Sequence, residues 1–219
     1  MKTKATLSVA LPRIPKDIPI FEGRDIDGST EIVQAHCIDI DLAGRAVSGL
    51  TFDRTIVQRI LMNRTRLANA RLFDVQCEGS DLSGSSWQRS RWQRVHFKGC
   101  KLTGAQFTTL TGTDVSFQEC SMEGVIFSGG KLKGVHFERC RMARAVFDRV
   151  DLGSATFHRC DLSGMDLTGS KLEGVDLRAS DILDIRLEVV QYKGLTIDPV
   201  QAAELVAQLG CVVKSVEEE

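Results

Sequence analysis

Four cysteines stand 20 residues apart, at Cys100, Cys120, Cys140 and Cys160. Thiols are the groups here best suited to a disulfide or a soft metal. If the chain coils once every 20 residues, they stack about one strand spacing apart. A ladder, however, is a line, and its sulfurs do not converge on one ion. Cysteine also serves as a small buried apolar residue. The column therefore reads as core, with no metal, cofactor or disulfide expected. His36, His96, His136 and His158 fall on outward or corner positions, with His96 and His136 two coils apart on one face. No serine, cysteine or carboxylate is expected beside them for nucleophilic or acid–base work. Trp87 and Trp92 take inward slots, and the glycines follow a corner period rather than a phosphate-cradling one. No catalytic centre is expected, and the chain reads as a non-enzyme.

Bulk properties agree. The 219 residues are 42% hydrophobic and 26% charged, with a net charge of −1. That balance suggests neither a nucleic-acid nor a membrane partner. No apolar run approaches the roughly 18 residues of a membrane helix. Met1–Ala10 followed by Pro12 and Pro15 makes a poor leader. The expectation is a soluble bacterial cytoplasmic protein with reduced cysteines.

What positions these residues is a repeat. Every fifth residue from Ile32 to Ile197 is apolar, with Gly112 the exception among 34 positions. The residue two before each is mostly small, as at Ala70, Ser80, Cys100, Ala105, Val125 and Ala155. A period of five fits neither a helix nor a strand; it requires a chain that turns a corner every five residues. A second period of 20 groups four such units into a coil. Phe97, Phe117, Phe137 and Phe157 form one column, and Phe107, Phe127 and Phe147 another. The two columns sit on opposite faces, with Leu and Met between. Many units end in glycine, suited to corner geometry.

Units such as Cys160-Asp161-Leu162-Ser163-Gly164 and Val175-Asp176-Leu177-Arg178-Ala179 resemble the A(D/N)LXX repeat of the pentapeptide-repeat family. The resemblance implies an all-β fold: a right-handed quadrilateral parallel β-helix over residues 30–197, about 8.5 coils, with a short C-terminal α-helix. At roughly 4.8 Å per coil such a rod is about 40 Å long. Residues 1–29, with Pro12, Pro15 and Pro19, are expected to form an extended cap over the first coil.

Residues 198–219 read as a helix, a short apolar run and an acidic tail. Asp198-Pro199-Val200-Gln201 has the form of a capping box with a first-turn proline. Ala202, Leu205, Val206 and Leu209 make one apolar stripe. This end is similar to the C-terminal helix of Qnr-type and MfpA-type members, which implies homodimerisation tip to tip. The resemblance also implies a DNA-mimicking partnership with DNA gyrase or topoisomerase IV and protection from quinolones or other poisons. Asp161, Asp166, Asp176 and Asp181 are the candidate acidic surface, since Cys160–Asp198 holds eight acids against four bases. Ser85–Arg149 is instead basic, with eleven bases against five acids. Those bases are spread over several faces without exposed aromatics, so direct nucleic-acid binding is not expected. The alternative is a scaffold or regulatory adaptor that binds another protein with a flat face.

Overall fold

The structure is a computed structural model that describes residues 9–21 and 26–214. It is a parallel β-solenoid. Pairing joins each residue to the one 20 positions on, as in Phe97↔Phe117, Phe117↔Phe137 and Phe137↔Phe157. The same register runs from Glu31↔Thr51 to Asp176↔Thr196.

The inward columns form the core. Phe97, Phe117, Phe137 and Phe157 stack with centroids 5.0, 5.1 and 4.7 Å apart and ring planes within 7°. Phe107, Phe127 and Phe147 stack at 4.7 Å on the opposite face. The two stacks meet edge to face in the middle, 6.3 Å between Phe137 and Phe147 and between Phe147 and Phe157. That arrangement suits the ring quadrupole and fills the width between two faces. Gly112 leaves no gap, because a Cβ there would lie 2.9 Å from Leu132 Cδ2 and 3.2 Å from Val115 Cγ2.

The corners differ from expectation. The last residue of a unit takes positive φ at glycines such as Gly99 (59°), but also at Arg59 (52°), Arg94 (51°), Arg139 (50°) and Arg149 (52°). The left-handed region costs a side-chain-bearing residue about 1–2 kcal/mol. The inter-coil hydrogen bond imposes it: the corner amide donates to the next coil, Arg59 N to Glu78 O at 3.0 Å and Arg139 N to His158 O at 2.9 Å, as Gly99 N does to Gln118 O. Where an aspartate precedes the inward residue, its Oδ1 accepts the amide two residues on, as at Asp41–Ala43, Asp81–Ser83 and Asp161–Ser163. These are Asx turns, and the chain there makes single bridges rather than strands.

Both ends are closed. Pro19–Phe21 pairs with the first coil through Phe21 N→His36 O and His36 N→Pro19 O, and Ile26 is buried. Residues 10–13 do not lie over that coil as the sequence reading expected. They run along the side of the rod, where Arg13 N donates to Asp74 Oδ1 at 2.8 Å. At the other end a 3-10 turn, Val189–Tyr192, replaces a strand segment without shifting the 20-residue register. Its Gln191 is buried and its Nε2 donates to Leu167 O and Ser170 O at 2.7 Å. The helix Pro199–Gln208 repeats the device, with Gln201 Nε2 donating to Leu177 O and Ser180 O. Asp198 and Gln201 form the expected capping box.

Two substitutions test the register. Phe127→Ala removes a ring held on both sides and is expected to cost about 3–5 kcal/mol. Gly130 stands at a small inward position with φ +95°, and a Cβ would lie 2.2 Å from Leu110 O. Gly130→Ala is therefore expected to destabilise at least as much, read by chemical denaturation; wild-type stability in either variant would contradict the packing.

Candidate functional site

Among the described residues the interior is filled by the stacked side chains. A void of about 20 Å³ among Phe52, Val57, Met62, Cys77 and Phe97 is too small to hold a substrate. A shallow open depression of about 280 Å³ lies outside, on the face of Ala46, Ser48, Arg66, Ala68, Ser86 and Gln88. Among the described residues no group of His, Cys, Asp and Glu could hold a metal ion.

The cysteine column is buried as expected. Each thiol donates to a backbone carbonyl: Cys100 to Cys77 O (3.4 Å), Cys120 to Gln118 O (3.3 Å), Cys140 to Phe117 O (3.4 Å) and Cys160 to Phe137 O (3.5 Å). Neighbouring thiols and burial raise Cys120 and Cys160 well above the usual range, while hydrogen bonds from the flanking thiols lower Cys100 and Cys140. In the first coil, burial pushes Cys37 up to about 12. Cys37, Cys120 and Cys160 are thereby held as neutral thiols, which are poor nucleophiles and poor metal ligands.

The histidines are less isolated than their sequence spacing indicated. His96 Nδ1 lies 2.6 Å from Ser116 Oγ, and His136 Nδ1 bonds Thr156 Oγ1. The 20-residue register brings each pair together, 96 with 116 and 136 with 156. Burial lowers the pKa of both rings. Ser116 is itself buried, and nothing described orients the far nitrogen of His96, so the pair lacks the third member and the cleft of a hydrolytic site.

On the surface, ion pairs sort the basic middle. Arg94 pairs with Asp74, Lys131 with Asp151, Arg139 with Glu119 and Glu138, Arg141 with Glu123, and Arg149 with Asp148. Glu119, Glu123, Glu138 and Asp148 lie within Ser85–Arg149 and only Asp74 and Asp151 come from outside it, so the pairs localise charge but the basic surplus of the middle persists. The acidic end is similarly tempered. Asp161 and Asp181 share one face, while Asp166 and Asp176 stand on two others. Each of the four accepts the amide two residues on. Arg178 binds Asp176 at 2.6 Å, and Arg186 lies 3.8 Å from Asp166. These aspartates therefore shape turns as well as carrying charge.

The C-terminal stripe divides. Leu205 is 3% exposed and packs on the last coil, so it belongs to the cap, contrary to its expected place in a dimer interface. Ala202 is half-buried. Val206 and Leu209 are exposed, together with Leu183, Val189, Val190, Val200, Val212 and Val213. Eight of the thirteen exposed large apolar residues thus lie within residues 183–213. Periodicity alone could not separate Leu205 from Val206.

Residues 90–167 match the family model for a pentapeptide repeat region. That stretch is a pentapeptide-repeat region. No curated protein matches the sequence. Among solved structures, the solenoid is similar to a trypsin-treated variant of QnrB1, a plasmid-mediated fluoroquinolone resistance protein. The identity is 17% and the TM-score 0.33, covering 82% of this chain and 99% of that one. It is also similar to HetL of the cyanobacterium Nostoc sp., a pentapeptide repeat protein involved in heterocyst differentiation regulation. There the identity is 13% and the TM-score 0.33, over 80% of this chain and 90% of that one. A third is a pentapeptide repeat protein of the Arabidopsis thaliana thylakoid lumen, at 17% identity and TM-score 0.22, over 68% and 72%. At these scores none of them bears on what this chain does.

The cysteine ladder generates a direct check. Cys120→Ala with Cys140→Ala is expected to lower stability modestly, by roughly 1–3 kcal/mol from two small cavities, and metal analysis of the purified wild type should show no zinc. Stoichiometric zinc would overturn the assignment.

Proposed function

We propose that this chain is a non-catalytic protein-binding rod that pairs tip to tip through its C-terminal end. The observation that carries this reading is the concentration of exposed apolar side chains there. Val189 is 77% exposed, Val200 69%, Leu209 60% and Val212 81%. A large exposed apolar patch marks an interaction surface. A two-fold axis at the tip buries the same patch on both copies. The flat outer faces, with small residues such as Ala46, Ser48, Ala68 and Ser86, are then free along a doubled rod. That geometry fits a scaffold or adaptor better than an enzyme.

A second reading makes a type II topoisomerase, DNA gyrase or topoisomerase IV, the partner. It is favoured by the acid surplus next to the tip: Cys160–Asp198 carries eight acids and four bases, so pairing places two such ends side by side. A basic DNA-binding saddle would meet them there. Arg178 and Arg186 reduce the charge available on two of the three faces. A supercoiling assay with titrated protein, with and without a quinolone, separates the readings. Inhibition or protection that weakens when Asp161, Asp166, Asp176 and Asp181 become Asn supports the topoisomerase. No effect at tens of micromolar leaves the adaptor.

Val206→Asp and Leu209→Asp are expected to give a folded monomer by light scattering, where wild type is a dimer. Leu205→Asp is expected instead to lower the melting temperature, because it charges a buried cap residue. Dimers persisting in both exposed-site variants would refute tip pairing.

A further inference from the structure

The N-terminal segment lies on the rod in an unusual way. Along one corner the last residues of successive coils read Arg54, Asp74, Arg94 and Asp114, so two carboxylates stand two coils apart with an arginine between them. The segment meets both carboxylates with its backbone. Arg13 N donates to Asp74 Oδ1 at 2.8 Å, and Ala10 N donates to Asp114 Oδ1 at 3.4 Å. Asp74 is 6% exposed and fixed by Arg94, whose Nε and Nη2 each lie 2.6 Å from its oxygens. The track is therefore a rigid, built feature rather than a loose side chain.

Spacing explains why an extended chain fits. Two coils span about 9.6 Å at the usual strand separation. Three residues of polyproline II chain rise about 9.3 Å, and the third-residue repeat returns the amide to the same side. Residues 10 and 13 are three apart, with Pro12 between them and Pro15 beyond. Pro12 and Ile14 are half-buried, while Leu11, Arg13 and Pro15 are exposed. Phe73, adjoining Asp74 in sequence, is an outward-facing aromatic that is only partly exposed. An aromatic beside spaced acceptors suits a proline-rich ligand.

The hold is also light. Among the described residues, 10–13 meet the track through those two amides and the charge of Arg13 near Asp74, whereas Pro19–Phe21 is anchored by paired backbone bonds to His36. The exposed stretch Pro15–Asp17 separates the two halves. Few contacts mean that the outer half opens with little free energy.

We propose that the corner from Asp74 to Asp114 is a binding track for a proline-rich, extended segment of a partner protein, and that residues 9–14 occupy it in cis. The partner must displace this segment, which makes the N-terminus a competitor for the chain's own docking site. This inference is independent of tip pairing.

The test uses the full chain and a fluorescent peptide of residues 9–21 as probe. Ile14→Asp places a charge in the half-buried position and frees the segment without touching the coils. The peptide should bind the Ile14→Asp chain at least about tenfold more tightly than wild type, since a tethered segment competes at an effective concentration of roughly millimolar. Adding Asp114→Ala, a change at a half-buried corner residue, should weaken that binding. Hydrogen exchange at the Arg13 amide reports release in the same sample. Equal binding to both chains, or no binding once the Arg13 amide exchanges freely, would overturn the proposal. So would an Arg13 amide that stays protected in Ile14→Asp, which would make the segment an integral part of the rod.

Discussion

Each coil of this rod can bury its inward side chains only against the coils on either side of it. That constraint fixes the 20-residue register, because a slip of one residue would turn Phe117 and Phe137 outward and place polar neighbours in the core. It also dictates the corners. Hydrogen bonding between coils requires the last residue of a unit to enter the left-handed region, whatever its side chain, and arginine, aspartate and glutamate accept the strain where glycine is absent. The stacked phenylalanines, the buried cysteine ladder and the histidine–hydroxyl pairs all follow from the same register.

The periodic part was legible because repetition averages over individual residues. The Phe columns, the small residues two positions before them, and the capping box at Asp198 were readable from spacing alone. The arginine corners were not, since residue preference marks the left-handed region mainly by Gly, Asn and Asp, and here the inter-coil bond overrides preference. The side of Leu205 was also hidden. A helical stripe shows which residues are apolar, but only the depth of the last coil decides that Leu205 is covered and Val206 is not. Residues 10–13 carried no period at all, and their partners lie 61 and 104 residues away.

The same separation applies to charge. Counting along the sequence gives a basic middle and an acidic end, yet the structure pairs Arg94, Arg139, Arg141 and Arg149 with acids one coil or one residue away. Exposed pairs of this kind contribute at most about 1 kcal/mol each, so their main effect is to flatten the field a partner meets. The middle coils keep a surplus of bases, and the exposed apolar side chains at the C-terminal end are what the proposed tip pairing rests on.

Small-angle X-ray scattering of the wild-type protein at tens of micromolar tests this most directly. Tip-to-tip pairing of 24.1 kDa chains predicts a doubled mass with a maximum dimension about twice that of a single rod of roughly 40 Å plus its caps, at an unchanged cross-section. A single-chain mass, or a doubled mass with a widened cross-section and no gain in length, would contradict it.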